Sequence, residues 1–335
     1  MNNTNSRNTV YVSSTLIEVP FLLNIYLGIF IFITGNISSI GNFLVFSSRT
    51  FRARACSNYL IVESIFTFIY FDFVLLTRVI QKGFQLPIIN KYSVICKVRE
   101  WLSEYTHQVA FSLFALATID RFLSTHRSAA YRAWSNRISL TYKLIPTVII
   151  FWFLWTGHRL IFYTTSTGVC IPMAGNYEIF DAYFEACMSG VVPPILFITL
   201  GSLLLRNVRS VSRRRVMPSV GNGLHVATVN LSLIQQIDAQ LSNMILLQSF
   251  VAVPSFLPFG AQNLYSSITL YWNKAPLYVA YENIFVELIR LFSYLFYSTS
   301  FYISCLSSPG FRKQVLYILK IRRQVDPSTH TITTR

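Results

Sequence analysis

The sequence predicts an all-α fold, a bundle of seven transmembrane helices with a short amphipathic eighth helix, on three observations. The chain is 335 residues long, 53% hydrophobic and 12% charged, about half the charged share of a soluble globular domain. It contains seven apolar runs, each close to the roughly 20 residues that cross a hydrocarbon core about 30 Å thick. Its basic residues gather in alternate gaps between those runs. Lipid rather than water is the solvent that such a chain requires.

The runs cover residues 21–46, 59–79, 101–122, 144–163, 183–205, 241–261 and 284–306. The fourth and fifth are cleanly apolar, whereas the third, sixth and seventh carry polar residues inside, as helices lining a bundle interior do. This divides the chain into an outer amino-terminal segment (1–20), the helical bundle (21–306), and a helix and tail (307–335). Residues 1–20 lack the basic, apolar and small-residue succession of a removable signal peptide, so the first run itself is expected to direct insertion. Asn2-Asn3-Thr4 is an N-glycosylation sequon on the outer segment. Two further sequons, at Asn36 and Asn230, fall in the first run and in an inner gap, where modification is not expected. A linker rich in Gly and Pro, around Pro218, Gly221 and Gly223, separates the fifth and sixth runs.

The net charge of +15 raises the question of nucleic acid. Its distribution answers no. Nineteen of the 28 lysines and arginines lie in the first, third and fifth gaps and after the last run, counting Arg121 at the edge of the third run, the bias expected of cytoplasmic loops. The amino terminus is therefore expected outside and the carboxyl terminus inside a plasma membrane, as an odd number of spans demands. The five cysteines, Cys56, Cys96, Cys170, Cys187 and Cys305, show no close pairing of the kind that holds zinc. No cofactor or metal is expected.

The third run begins just after Cys96 and ends in Thr118-Ile119-Asp120-Arg121-Phe122, with Arg121 twenty-five residues beyond the cysteine. Asp120 is placed to hold the Arg121 guanidinium, although a helix-end arginine also reaches headgroups simply by extending. The first run carries Gly41-Asn42, the fifth Pro193-Pro194, and the sixth Pro254 and Pro258. Prolines remove backbone donors and loosen a helix. Together these residues resemble the rhodopsin-like class of G-protein-coupled receptors. In that family the acid and arginine ending the third helix close the cytoplasmic mouth that admits a heterotrimeric G protein. The resemblance implies the same for Asp120, Arg121 and Phe122, a helix-tying amide at Asn42, and a disulfide from Cys96 to Cys170 over the bundle mouth, both on the oxidising side. Cys187 is the competing partner, expected instead as a buried thiol. With Pro258 taken as the family's sixth-helix proline, Asp238 falls where a partner for Arg121 is expected.

The resemblance has gaps. The family's Asn-Pro-x-x-Tyr appears as Ser298-Thr299-Ser300-Phe301-Tyr302, keeping only Tyr302, so a kink and water-linked bonding there are in doubt. Counted from Asn58, the sodium-binding aspartate position is Phe68, with Asp72 a turn beyond, so sodium sensitivity is expected to be weak or absent. No tryptophan precedes the sixth-run prolines, and Phe256 is the substitute for the usual aromatic switch. After the last run, Phe311-Arg312-Lys313 leads into Val315, Leu316, Ile318 and Leu319, a pattern suited to an amphipathic helix on the inner membrane face.

In the register set by Cys96, the position where the family's amine receptors carry an aspartate is Ser103, with Glu104 beside it and His107 a turn deeper. A biogenic amine is thereby disfavoured. Glu104, Glu178, Asp181, Glu185, Glu282 and Glu287 give the outer half several carboxylates that an arginine-containing or amide-capped peptide would satisfy. Glu287 also has Arg290 three residues on as an internal partner, and the loop acids also suit plain solvation. The expected function is a receptor for an extracellular ligand, preferably a peptide, and not an enzyme, since no hydrolase motif lies within a run. The alternatives are an orphan chemosensory receptor and, through Glu63, Asp72 and Arg78, a transporter or channel. The latter lacks inverted repeats and paired broken helices.

Overall fold

Long apolar runs poor in turn residues satisfy their backbone groups internally, and helix does so without partner segments. The computed structural model describes residues 13–135, 137–215, 225–269 and 272–325, almost all of them helical. Its long helices are α1 (Ser14–Phe46), α2 (Ala55–Gly83), α3 (Ser93–Thr125), α4 (Ile138–Phe162), α5 (Asn176–Arg209), α6 (His225–Ile268), α7 (Pro276–Ser307) and α8 (Pro309–Val325). The sequon at Asn2 and the linker around Pro218 lie outside the described residues, and Asn230 falls within α6.

Among the described residues, six helices, α1, α2, α4, α5, α6 and α7, are long and apolar enough to cross a membrane, which is the pattern of a multi-pass membrane protein. Helix α3 is equally long, at 33 residues, but is far more polar. Its polar side chains are turned inward: Glu104, His107, Gln108, Thr118, Asp120 and Arg121 are all buried, because α2, α4, α5 and α6 pack around it. Helix α4 is the opposite case. It shows Ile150, Phe151, Leu154 and Trp155 to the outside, and the Trp152 indole N–H, donated to Ser112 Oγ at 2.8 Å, ties it to α3.

The helices run past the apolar stretches at both ends. Cys96, for instance, lies inside α3, which starts at Ser93 rather than after the cysteine. Hydropathy marks only the stretch that lipid must match, whereas helical hydrogen bonding continues into the polar flanks.

Irregularities in the helices follow from local chemistry. Pro193 and Pro194 withdraw the N–H groups that Ser189 and Gly190 carbonyls would accept. The chain just upstream, Ala186–Val191, widens into a π-turn. There α5 and α6 touch backbone to backbone: a Cβ added at Gly190 would lie 2.1 Å from Gly260 Cα, and one at Gly260 2.5 Å from the Gly190 carbonyl. Only glycine at both positions permits that approach. Helix α2 contains similar wide turns at Tyr70–Leu75 and Val79–Gly83, and α7 breaks at Tyr294 with no proline nearby.

An aromatic core joins four helices at mid-height. Phe114 (α3), Phe197 (α5), Phe256 (α6) and Phe296 (α7) are buried and linked by ring contacts of 5.2–5.8 Å. Such contacts stabilise by about 0.5–1.5 kcal/mol each beyond the area they bury. Phe256 thus occupies the core as an aromatic hub, packed on His107 as well.

Candidate functional site

At one end of α3, Arg121 is completely buried. Asp120 takes its Nε at 3.1 Å and also contacts Nη2, while Asp238 on α6 takes Nη1 at 2.8 Å. Asp238 additionally faces Arg54 at 3.6 Å, and Ser135 donates to Asp120 Oδ1 at 3.1 Å. Two guanidiniums and two carboxylates balance, and Asp238 is the partner nearest solvent, its side chain 31% exposed. The cluster therefore latches α6 onto α3 through one partly wetted contact, while the Arg121–Asp120 contact stays within α3. Buried polar groups need such pairing, because an unpaired charge there is strongly unfavourable.

Of the other residues grouped with Arg121 by sequence, Phe122 packs on His126 and its carbonyl accepts from Asn207 of α5 at 3.3 Å. Tyr302 lies elsewhere: its hydroxyl donates to the Thr34 carbonyl of α1 at 3.3 Å. Asn42 donates to Ser300 Oγ on α7 at 2.9 Å, which ties α7 to α1. Phe68 is 40% exposed on the outside of α2, not in the interior where the count from Asn58 puts it. The wide α2 turns begin only at Tyr70 and do not account for this. The interior positions there are Ser64 and Thr67, and Thr67 bonds Ser39 at 3.1 Å.

At the opposite end of α3, a disulfide joins Cys96 to Cys170. It fastens the hairpin of β1 (Tyr163–Thr164) and β2 (Ile171–Pro172) to the helix. Cys187, expected as a buried thiol, is exposed, since it sits on the outer face of α5.

Beneath the hairpin lies a feature the sequence reading missed. Arg159 is 1% exposed and sits among Asp181 at 2.9 Å, Glu185 at 3.1 Å and Glu104 at 3.9 Å. Tyr163 donates to Asp181 at 2.7 Å. Asp181 and Glu185 are thus bound internally rather than solvated, because α5 begins at Asn176 and carries both inward toward α4. Glu282 is paired too, with Lys274 at 2.6 Å, and that hydrogen bond holds the Lys274 ammonium above its ordinary pKa. A signal did exist: Arg159 is the only lysine or arginine in the run 144–163.

The expected pocket residues divide between two places. Ser103, Glu104 and His107 line a cavity of only about 30 Å³ with Glu185, Ser189 and Phe256, far below the 300 Å³ or more of a typical ligand site. Gln108 and Ser189 close it by bonding Glu104 at 2.7 and 2.9 Å. Glu287 is not there. It lines a separate cavity of about 360 Å³ among α1, α2 and α7. Nor does it pair with Arg290. Its Oε2 takes the Arg78 guanidinium and the Asn24 amide, the latter at 2.9 Å, while Arg290 turns to Glu185 at 3.7 Å. No family model matches the sequence, and no curated protein shows significant similarity to it.

Proposed function

We propose that this chain is a plasma-membrane receptor of the rhodopsin-like, G-protein-coupled kind, with α3 as a further membrane crossing and α8 as an amphipathic helix on the cytoplasmic face. In this reading the Cys96 end faces outward and the Arg121 end faces the cytosol. The observation that carries it is the pairing of fully buried Arg121 with Asp120 on its own helix and Asp238 on α6. A disulfide sits at the far end of the same helix.

The latch has the properties that a switch needs. Its closed form is held by a solvent-facing carboxylate, so a modest bias at the outer end is enough to part α6 from α3. The aromatic core and the Gly190–Gly260 contact form a rigid middle about which the inner half of α6 turns. The gap opened next to Arg121 then receives a heterotrimeric G protein. Outside, the nearly closed cavity at Glu104 and His107 opens as an extracellular ligand, by preference a peptide, separates Glu185 from Arg290 and Arg159.

The test is nucleotide exchange on purified heterotrimeric G proteins by the chain in lipid nanodiscs, screened against peptide and odorant panels. Ligand-stimulated exchange supports the receptor reading, and odorant-only activation supports a chemosensory one. Solute flux in liposomes without exchange overturns both in favour of transport.

A further inference from the structure

At the Arg121 end of the bundle, charge does not balance outside the latch. Of the 13 Asp and Glu residues, only Asp120, Asp238 and Asp326 belong to that end. The first two are held by Arg121, and Asp326 lies outside the described residues. The connection from α3 to α4 and the first turns of α4 nevertheless carry Arg127, Arg132, Arg137 and Lys143, all exposed. Among the described residues none of the four has an acid within ion-pair distance. Two of these guanidiniums are fixed in place. Arg132 gives Nη1 to the His126 and Arg127 carbonyls at 3.0 and 2.7 Å. Arg137 gives Nε to the Ala133 carbonyl at 2.7 Å and lies over the Trp134 ring at 5.3 Å. That leaves both terminal nitrogens of Arg137 for an oxyanion, and a guanidinium already held loses little freedom on binding one.

The surroundings of these cations are apolar. Trp134, on the short helix Ala129–Trp134, is 60% exposed, and Tyr131 and Tyr142 are exposed as well. Exposed aromatic rings beside basic residues suit the boundary between membrane and water. On α4, Lys143, Thr147, Ile150 and Leu154 are all exposed, and their helical spacing sets them in one outward stripe. At 1.5 Å per residue, Lys143 stands about 10 Å along the axis from Ile150, enough to cross a headgroup layer about 5–8 Å thick. A free anion would use the cations and leave the stripe bare. A phospholipid uses both, and only a net-anionic headgroup is favoured, because a zwitterionic one brings its own ammonium against four cations. We infer that the base of α4 is a binding site for an anionic phospholipid, its phosphate held by Arg137 and Lys143 beside Trp134 and its acyl chains lying along Ile150 and Leu154. The inference requires only a multi-pass membrane protein and is independent of the receptor reading.

The test is native mass spectrometry of the full chain in detergent, titrated with phosphatidylserine and with phosphatidylcholine of the same acyl chains. Phosphatidylserine is expected to bind at least about ten-fold more tightly, and inorganic phosphate should not displace it. Each basic group beside an anionic lipid contributes about five-fold, so Arg137→Gln combined with Lys143→Gln should weaken phosphatidylserine binding about 25-fold. Trp134→Ala should weaken it several-fold. All three side chains are exposed, so the thermal midpoint should barely move. Arg206→Gln combined with Arg209→Gln removes the same charge from exposed positions on α5 and should cost far less. Equal binding of the two lipids, displacement by inorganic phosphate, an equal loss in the α5 variant, or unchanged binding in the folded α4 variant would overturn the inference.

Discussion

Replacing Arg159 by methionine keeps the length and apolar stem of the side chain and removes only the guanidinium. Asp181 and Glu104 are 3% and 4% exposed, and with Glu185 they converge on that one group within 2.9–3.9 Å. Arg290, at 3.7 Å from Glu185, can compensate only the last of them. Removing one partner of a buried ion pair costs about 3–5 kcal/mol, because the other charge stays buried and unpaired. At ~2 °C per kcal/mol for a chain of this size, Arg159→Met should lower the midpoint of thermal unfolding in detergent by roughly 6–10 °C at fixed scan rate. The added changes Asp181→Asn and Glu185→Gln should restore at least half of the loss, since the harm lies in stranded charge and not in a missing contact. Lys274→Met removes a similarly short ion pair that is only partly buried and should lower the midpoint far less. A variant Arg159→Met that melts within 2 °C of wild type, or a triple variant less stable still, would refute the assignment of a charge-balancing role to this arginine.

The backbone contact of α5 with α6 makes Gly190→Val and Gly260→Val incompatible with the packed bundle. Both should yield aggregated protein by size-exclusion chromatography, while Gly201→Ala, whose Cβ meets only Ser249 at an ordinary 3.5 Å, should remain monodisperse. The disulfide closes a sequence separation of 74 residues, for which loop entropy gives about 4 kcal/mol. Cys96→Ser, Cys170→Ser and the double variant should therefore show one and the same drop in thermal midpoint, reproduced in wild type by reductant; additive losses would mean that the thiols act separately.

Where physics is local, the sequence was a good guide. Helix follows from apolar length, and the Cys96–Arg121 spacing marks a single helix, because both residues lie within Ser93–Thr125. Asp238 meets Arg121 since the register of α6 counts back regularly from Pro258. Counting failed at Phe68: continued along α2 from Asn58, it puts an exposed residue in an interior position. Ion pairing was the least legible layer. Glu287 prefers Arg78, 209 residues away, to its helical neighbour Arg290, and Arg159 collects acids from α3 and α5. Such choices depend on how helices face one another, which no spacing along the chain records. The break of α7 at Tyr294, where the ring stacks on Tyr70 at 5.0 Å, has no proline or glycine to announce it.

Substituting Asp238 by asparagine tests the latch most directly. The Arg121–Asp238 ion pair links α6 to α3, and with Asp238 partly exposed it is worth about 1–2 kcal/mol after solvent screening. Loss of that amount shifts the closed-to-open ratio about 5- to 30-fold. Ligand-free nucleotide exchange on G proteins should rise by a comparable factor in Asp238→Asn nanodiscs, with thermal stability little changed. Exchange indistinguishable from the protein-free rate in both wild type and Asp238→Asn, at equal folded protein, would contradict the receptor account.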